Sequence, residues 1–123
     1  MIVDDSRVMR MMVRRTLRQA GFEDLIIFEA EHGRDAFDRY DDVRPDLILA
    51  DWNMPEMGGF ELLEKLMVYD PGVRLGFITS EQSDEIRTKA AEAGARFLLA
   101  KPFCAHKFRL KLGRFLSRDG LLG

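Results

Sequence analysis

The stretch Leu47-Ile48-Leu49-Ala50-Asp51-Trp52-Asn53-Met54-Pro55-Glu56-Met57-Gly58-Gly59 is where the fold becomes readable. Four apolar residues run straight into a carboxylate, and a Pro and two Gly punctuate the residues after it. An apolar run this short, closed by turn residues, reads as a buried strand over 47–50. Beyond it the apolar residues take up a helical spacing over 59–69. The same alternation extends in both directions. It predicts strands over 1–3, 25–30, 47–50, 73–78 and 96–100, and helices over 6–20, 33–40, 59–69, 83–93 and 105–116. Strands that alternate with helices imply βα units and a parallel sheet.

The length of 123 residues fits one domain over 1–123, able to bury about two-thirds of its unfolded surface without a disulfide or structural metal. Residues 117–123 read as a tail or the start of a linker. Apolar residues make up 46% and charged residues 33%, which excludes a disordered chain. No apolar run approaches the roughly 18 residues of a membrane span, and the first residues lack the basic and apolar regions of a secretion signal. The lone Cys104 cannot close an intrachain disulfide, and the expected location is the cytoplasm. A net charge of −2 argues against direct binding of nucleic acid, and nothing points to a membrane partner. Only three residues precede Asp4, against a mean strand of about 5–6. Either the first strand is short or residues are missing ahead of it.

The first helix has the clearest signals. Ser6 is placed to cap it and Gly21 to end it, and Gly94 ends the fourth helix in the same way. At about 100° per residue, Val8, Met9, Met12, Val13, Thr16 and Ala20 share one face. Arg7, Arg14, Arg15 and Arg18 lie opposite, Arg10 sits on the flank, and Met11 falls among the arginines.

Polar residues gather where strands end. Asp4 and Asp5 follow the first strand, Asp51 the third, Thr79 and Ser80 the fourth, Lys101 the fifth. In a parallel α/β sheet the carboxyl ends share one edge, and ligands bind there. Like charges about 4 Å apart cost roughly 4 kcal/mol at an effective dielectric near 20. Three clustered carboxylates therefore raise their pKa values or bind a cation. An all-oxygen site suits Mg²⁺, which welcomes a phosphate oxygen. Lys101 adds a point charge and Thr79 a hydroxyl donor, which makes a site for an incoming phosphoryl group. A carboxylate nucleophile there would form an aspartyl-phosphate. Taken singly, an acidic pair before a helix is an ordinary cap, and a Thr at a strand end is ordinary structure. The joint pattern is what carries the reading.

With these residues in place, the chain resembles the receiver domains of two-component response regulators, nearest in pattern to the single-domain CheY-like regulators. The matching pieces are Val3-Asp4-Asp5-Ser6 with Met9-Arg10, then Asp51 through Gly59, Thr79-Ser80-Glu81, Gly94-Ala95 and Lys101-Pro102-Phe103. The resemblance covers essentially the whole chain. It implies a doubly wound, flavodoxin-like α/β fold, with a five-stranded parallel sheet in the order 2-1-3-4-5 and five helices. It implies Asp51 as phospho-acceptor, with Asp5, Asp51 and the Asn53 backbone carbonyl as Mg²⁺ ligands and Asp4 helping through water. Thr79 would bond a phosphoryl oxygen, and Lys101 would pair with the phosphoryl group across a cis Lys101-Pro102 peptide. Asn53 and Glu81 stand at positions that modulate phosphoryl loss, and Trp52 reports metal and phosphoryl binding by fluorescence.

The implied function is a phosphorelay switch. It takes a phosphoryl group on Asp51 from a histidine kinase or a small phosphodonor, with Mg²⁺, and changes partner binding, in a chemotaxis-like pathway or another. It is not an enzyme acting on a separate substrate, although it catalyses its own phosphorylation and dephosphorylation. The implied partners are a sensor histidine kinase or phosphotransfer domain and a downstream target protein. The implied state is a monomer or a weak phosphorylation-dependent dimer.

Two positions depart from the family pattern. Leu98 stands where many receivers carry a switch aromatic, and alternation points its neighbour Phe97 to the other face. Gly58 replaces a common Asp or Asn, which predicts a looser loop. Ten of the 19 basic residues lie on or just after the first and last helices, which carry no acid over 6–20 and 105–116. Arg7, Arg10, Met11 and Arg14 are therefore the expected face for an acidic partner. His32, Cys104 and His106 lack metal spacing. Three alternatives stay open. One is a receiver excised from a longer regulator with a separate output domain. Another is a Mg²⁺-dependent phosphatase using an aspartyl nucleophile, disfavoured by Asn53 where such enzymes place an acid. The last is a flavin mononucleotide carrier, disfavoured by the acidic pair after the first strand.

Overall fold

The computed structural model describes residues 1–116; the tail reading over 117–123 lies outside them. Strands β1 (Ile2–Val3), β2 (Glu29–Ala30), β3 (Ile48–Ala50), β4 (Leu75–Thr79) and β5 (Leu98–Ala100) alternate with helices α1 (Arg7–Gln19), α2 (Gly33–Val43), α3 (Gly59–Tyr69), α4 (Asp84–Ala93) and α5 (Ala105–Leu116). The strands pair in parallel in the order β2-β1-β3-β4-β5, the doubly wound arrangement expected. Helices cover both faces. Tyr40, Leu62, Leu63, Leu66, Phe77 and Ala90 form a core with α2, α3 and α4. Val13, Leu17, Ile78, Leu99, Phe108 and Leu112 form the other with α1 and α5. Burial of each large side chain contributes about 1.5–3 kcal/mol. Among the described residues no helix is long and apolar enough to cross a membrane.

Local chemistry sets the helix ends. The Ser6 hydroxyl accepts from the Met9 N–H at 3.1 Å. Gly21 takes φ 97°, and the Gly21 and Phe22 N–H groups close on the Arg18 and Leu17 carbonyls. Gly94, at φ 103°, closes α4 likewise. α2 runs three residues past the expected end at 40, because Arg44 takes the left-handed conformation just before Pro45. His32 is its N-cap, with Nδ1 accepting from the Asp35 N–H at 3.1 Å.

Strand β2 is much shorter than the predicted 25–30. The ladder with β1 consists of two pairs, Ile2 with Glu29 and Val3 with Ala30. Leu25 and Ile27 still pack on the α1/α5 core. The buried arc of α1 is also rotated from the predicted one. It holds Val13, Thr16, Leu17 and Ala20, while Val8 is 66% and Met12 48% exposed. In this orientation the guanidinium groups of Arg10 and Arg14 reach the Glu29 carboxylate on β2.

Candidate functional site

Ladder hydrogen bonds set the depth of each functional side chain. The Asp51 N–H donates to the Val3 carbonyl at 3.0 Å, the Lys101 N–H to Thr79 at 3.0 Å and the Asp4 N–H to Ala30 at 3.1 Å. Asp4, Asp51, Thr79 and Lys101 thus sit at neighbouring strand ends on one edge. The carboxylates of Asp4, Asp5 and Asp51 offer oxygens within 4.8 Å of one another. Asp4 is buried, Asp51 half-buried and Asp5 exposed. Lys101 Nζ stands 3.5 Å from Asp51 Oδ2 and 3.7 Å from Asp4 Oδ2. The Lys101-Pro102 peptide is cis, as expected.

One ammonium against three carboxylates leaves the cluster negative. Burial pushes the Asp51 carboxyl up; the Lys101 charge pulls it down, Asp4 raises it further, and the net shift is upward. Hard oxygen donors with excess negative charge are the donor set that Mg²⁺ takes. Two contacts orient the acids. The Trp52 N–H donates to Asp51 Oδ1 at 2.8 Å, and the Ser6 N–H to Asp4 Oδ1 at 2.9 Å.

Thr79 is buried, and its hydroxyl accepts from the Glu81 N–H at 3.1 Å. Asn53 and Glu81, the two positions expected to modulate phosphoryl loss, meet each other: Asn53 Nδ2 donates to Glu81 Oε1 at 3.4 Å. The Trp52 ring packs on Phe77 and Phe60, with centroids 4.8 and 5.3 Å away, and Lys89 Nζ lies 4.6 Å from the Phe60 centroid. Gly59 admits the close approach of α3, since a Cβ there would run into the Asp51 carbonyl oxygen. Gly58 caps α3 without a side-chain hydrogen bond. Leu98 packs into the α2–α4 core, and Phe97 faces the other way, 5.7 Å from Phe115.

The predicted partner face divides. Arg7 and Met11 are exposed, Met11 at 58%. Arg10 and Arg14 belong elsewhere, because Arg10 Nε donates to Glu29 Oε1 at 2.8 Å and Arg14 Nε to Glu29 Oε2 at 2.6 Å. Both guanidinium groups are engaged by a carboxylate of the chain itself. Glu29 had no assigned role in the sequence; its signal was a lone acid on a strand beside an Arg-rich helix without acids. Lys89 carried no signal at all.

A family model described as the response regulator receiver domain matches residues 1–112. This chain belongs to that family. The receiver is 36% identical over 117 residues to the chemotaxis protein CheY of Bacillus subtilis, covering 95% of this chain and 96% of that protein. It superposes on CheY4 of Vibrio cholerae with a TM-score of 0.80 at 34% identity, covering 94% of this chain and 95% of the other. It also matches a chain of the CheX-CheY-BeF3-Mg complex from Borrelia burgdorferi, with a TM-score of 0.83, 26% identity and coverage of 94% and 87%. The protein is thus a CheY-like receiver of two-component signalling.

Proposed function

We propose that this receiver accepts a phosphoryl group on Asp51 and thereby shifts its affinity for a partner protein. The observation that carries the reading is the meeting of Asp51 with Asp4 and Asp5 on one side and Lys101 on the other. Asp5, Asp51 and the Asn53 carbonyl would hold Mg²⁺, with Asp4 acting through water. When bound, Mg²⁺ supplies positive charge against the carboxylates and the phosphoryl oxygens. The Borrelia relative, whose complex contains Mg and BeF3, supports this part.

The chain's own residues do the rest. An Asp51 carboxylate oxygen attacks phosphorus. The new O–P bond forms as the bond to the leaving group breaks, and acetate from acetyl phosphate departs with the electron pair. With a phosphohistidine donor, imidazole departs and takes up a proton. The Trp52 N–H on Oδ1 leaves Oδ2 on the side of Lys101, whose ammonium holds a phosphoryl oxygen. The Thr79 hydroxyl donates to another. In moving there it leaves the Glu81 N–H, and the backbone over 79–81 shifts at the start of α4. With Leu98 in place of an aromatic, that backbone is the output. The result is a population shift between two surfaces, not turnover of a separate substrate.

The test is the intact mass after incubation with Mg²⁺ and acetyl phosphate, beside Asp51→Asn. A gain of one phosphoryl mass that is absent from the variant is the expected result. An adduct that persists in Asp51→Asn would overturn the assignment.

The exposure of Arg7, Val8, Met11, Met12 and Arg15 favours α1 as the docking face for an acidic kinase or phosphotransfer domain. Reversal of Arg7 and Arg15 to Glu should slow transfer from the kinase and spare acetyl phosphate. Equal loss with both donors would sink this assignment.

A further inference from the structure

We propose that Arg10 is a positioning residue for the acidic loop of the site, aimed by Glu29; the inference rests on the Mg²⁺ reading above. Arg10 projects from the first turns of α1, and its side chain is only 11% exposed. Its Nη1 donates to the main-chain carbonyl of Asp4 at 2.7 Å, while Nε donates to Glu29 Oε1 at 2.8 Å. One planar guanidinium therefore ties the metal loop to β2.

Glu29 is itself clamped. Its backbone pairs with Ile2 across the β1–β2 ladder, Arg39 donates to its carbonyl, and Arg14 takes its second carboxylate oxygen. Burial pushes the Glu29 carboxyl up, but the hydrogen bonds from Arg14 and Arg10 outweigh it and hold the group below its ordinary range.

The bonded carbonyl belongs to the peptide that joins Asp4 to Asp5. Asp4 is fixed on every other side, by Ala30 at its N–H, Ser6 at Oδ1 and Lys101 at Oδ2. The Asp5 carboxylate has no hydrogen bond or ion pair among the described residues and stands exposed. Fixing the plane of the preceding peptide is what aims it. Arg10 touches no ligand and acts through this peptide.

Charge and position predict opposite signs here. A guanidinium near a cation site repels the cation, so deleting Arg10 should tighten Mg²⁺ binding if charge alone mattered. If Arg10 positions Asp5, deletion should weaken it. The supporting partners of a metal's ligands typically matter by about tenfold or more in affinity.

The experiment titrates the full chain with MgCl₂ and follows Trp52 fluorescence, with circular dichroism to check folding. Arg10→Met should weaken Mg²⁺ binding about tenfold. Arg10→Lys keeps the charge but not the fork and should recover only part. Glu29→Gln should weaken binding in the same direction. Arg18→Met, exposed on the same helix, should leave affinity within about twofold of the parent. Unchanged or tighter binding in Arg10→Met would overturn the inference. If that variant does not fold, Glu29→Gln decides by the same criterion. No Mg²⁺ response in the parent protein would overturn the Mg²⁺ reading and this inference with it.

Discussion

Strands β4 and β2 flank the same site but hold their places by different means. All five residues of β4 are buried, and strands pair with it on both sides. Phe77 and Ile78 reach into opposite cores, so apolar packing holds the strand. Strand β2 has two residues and one neighbour. Its Ala30 is buried, but its Glu29 is held by cations, Arg10 and Arg14 on the carboxylate and Arg39 on the carbonyl. β4 delivers Thr79; β2 steadies the loop that carries Asp4 and Asp5. One half of the site therefore depends on fit, and the other on directional charge, which pH and salt can reach.

The largest effect should come from the packed half. Phe77→Ala should cost about 3–5 kcal/mol in denaturant unfolding, with little change between low and high salt. A strong salt dependence of that loss would break the contrast. Gly59→Ala should cost about 1–3 kcal/mol, because the added methyl displaces the Asp51 carbonyl. It should also slow phosphorylation by acetyl phosphate, which intact-mass time courses would read.

The charged half should give less, and differently. Glu29→Gln should cost about 1 kcal/mol at neutral pH, since the partly exposed pairs are screened. Because the folded Glu29 carboxyl lies below its ordinary range, its contribution is complete at neutral pH and is lost as acid protonates it. The stability gap between parent and variant should close as pH falls through the carboxylate range, and narrow in high salt. A gap that persisted in acid would mean that β2 is held by packing after all.

Asp51→Asn should give the smallest change and the opposite sign. The folded Asp51 carboxyl is raised by burial, so its ionised form opposes folding. The variant should unfold at a slightly higher temperature at neutral pH, and the gain should disappear in acid. Greater stability in the parent protein would show that the Lys101 pair outweighs desolvation.

The packed half is also the more legible in the sequence. The apolar spacing over 59–69 and 105–116 gives the observed helix bounds, because it reports burial directly. The placement of Asp4, Asp51, Thr79 and Lys101 at one edge follows from strand ends alone, and Leu98 and Phe97 obey the alternation of a strand. The strand order comes from family resemblance rather than from spacing. What escapes is set by long-range polar pairing. A lone acid on a strand is the one sign Glu29 gives, and it does not name Arg10 and Arg14 as its partners; a helical wheel centred on apolar residues cannot foresee arginines turning inward. The length of β2 escapes for a related reason: the extent of pairing is a property of two strands, and the composition of one does not report it.

Gly76 of β4 and Phe97, just ahead of β5, leave a mark of another kind. A Cβ at position 76 would collide with the Phe97 ring, which is braced from behind by Phe115. The missing side chain on one strand is the space the ring occupies on the next. The two positions should therefore behave as a single unit of inheritance. Descendants of this sequence that gain a side chain at 76 should be those that have already given up the ring at 97, and Gly76→Ala should be tolerated in a Phe97→Ala background and not in the parent.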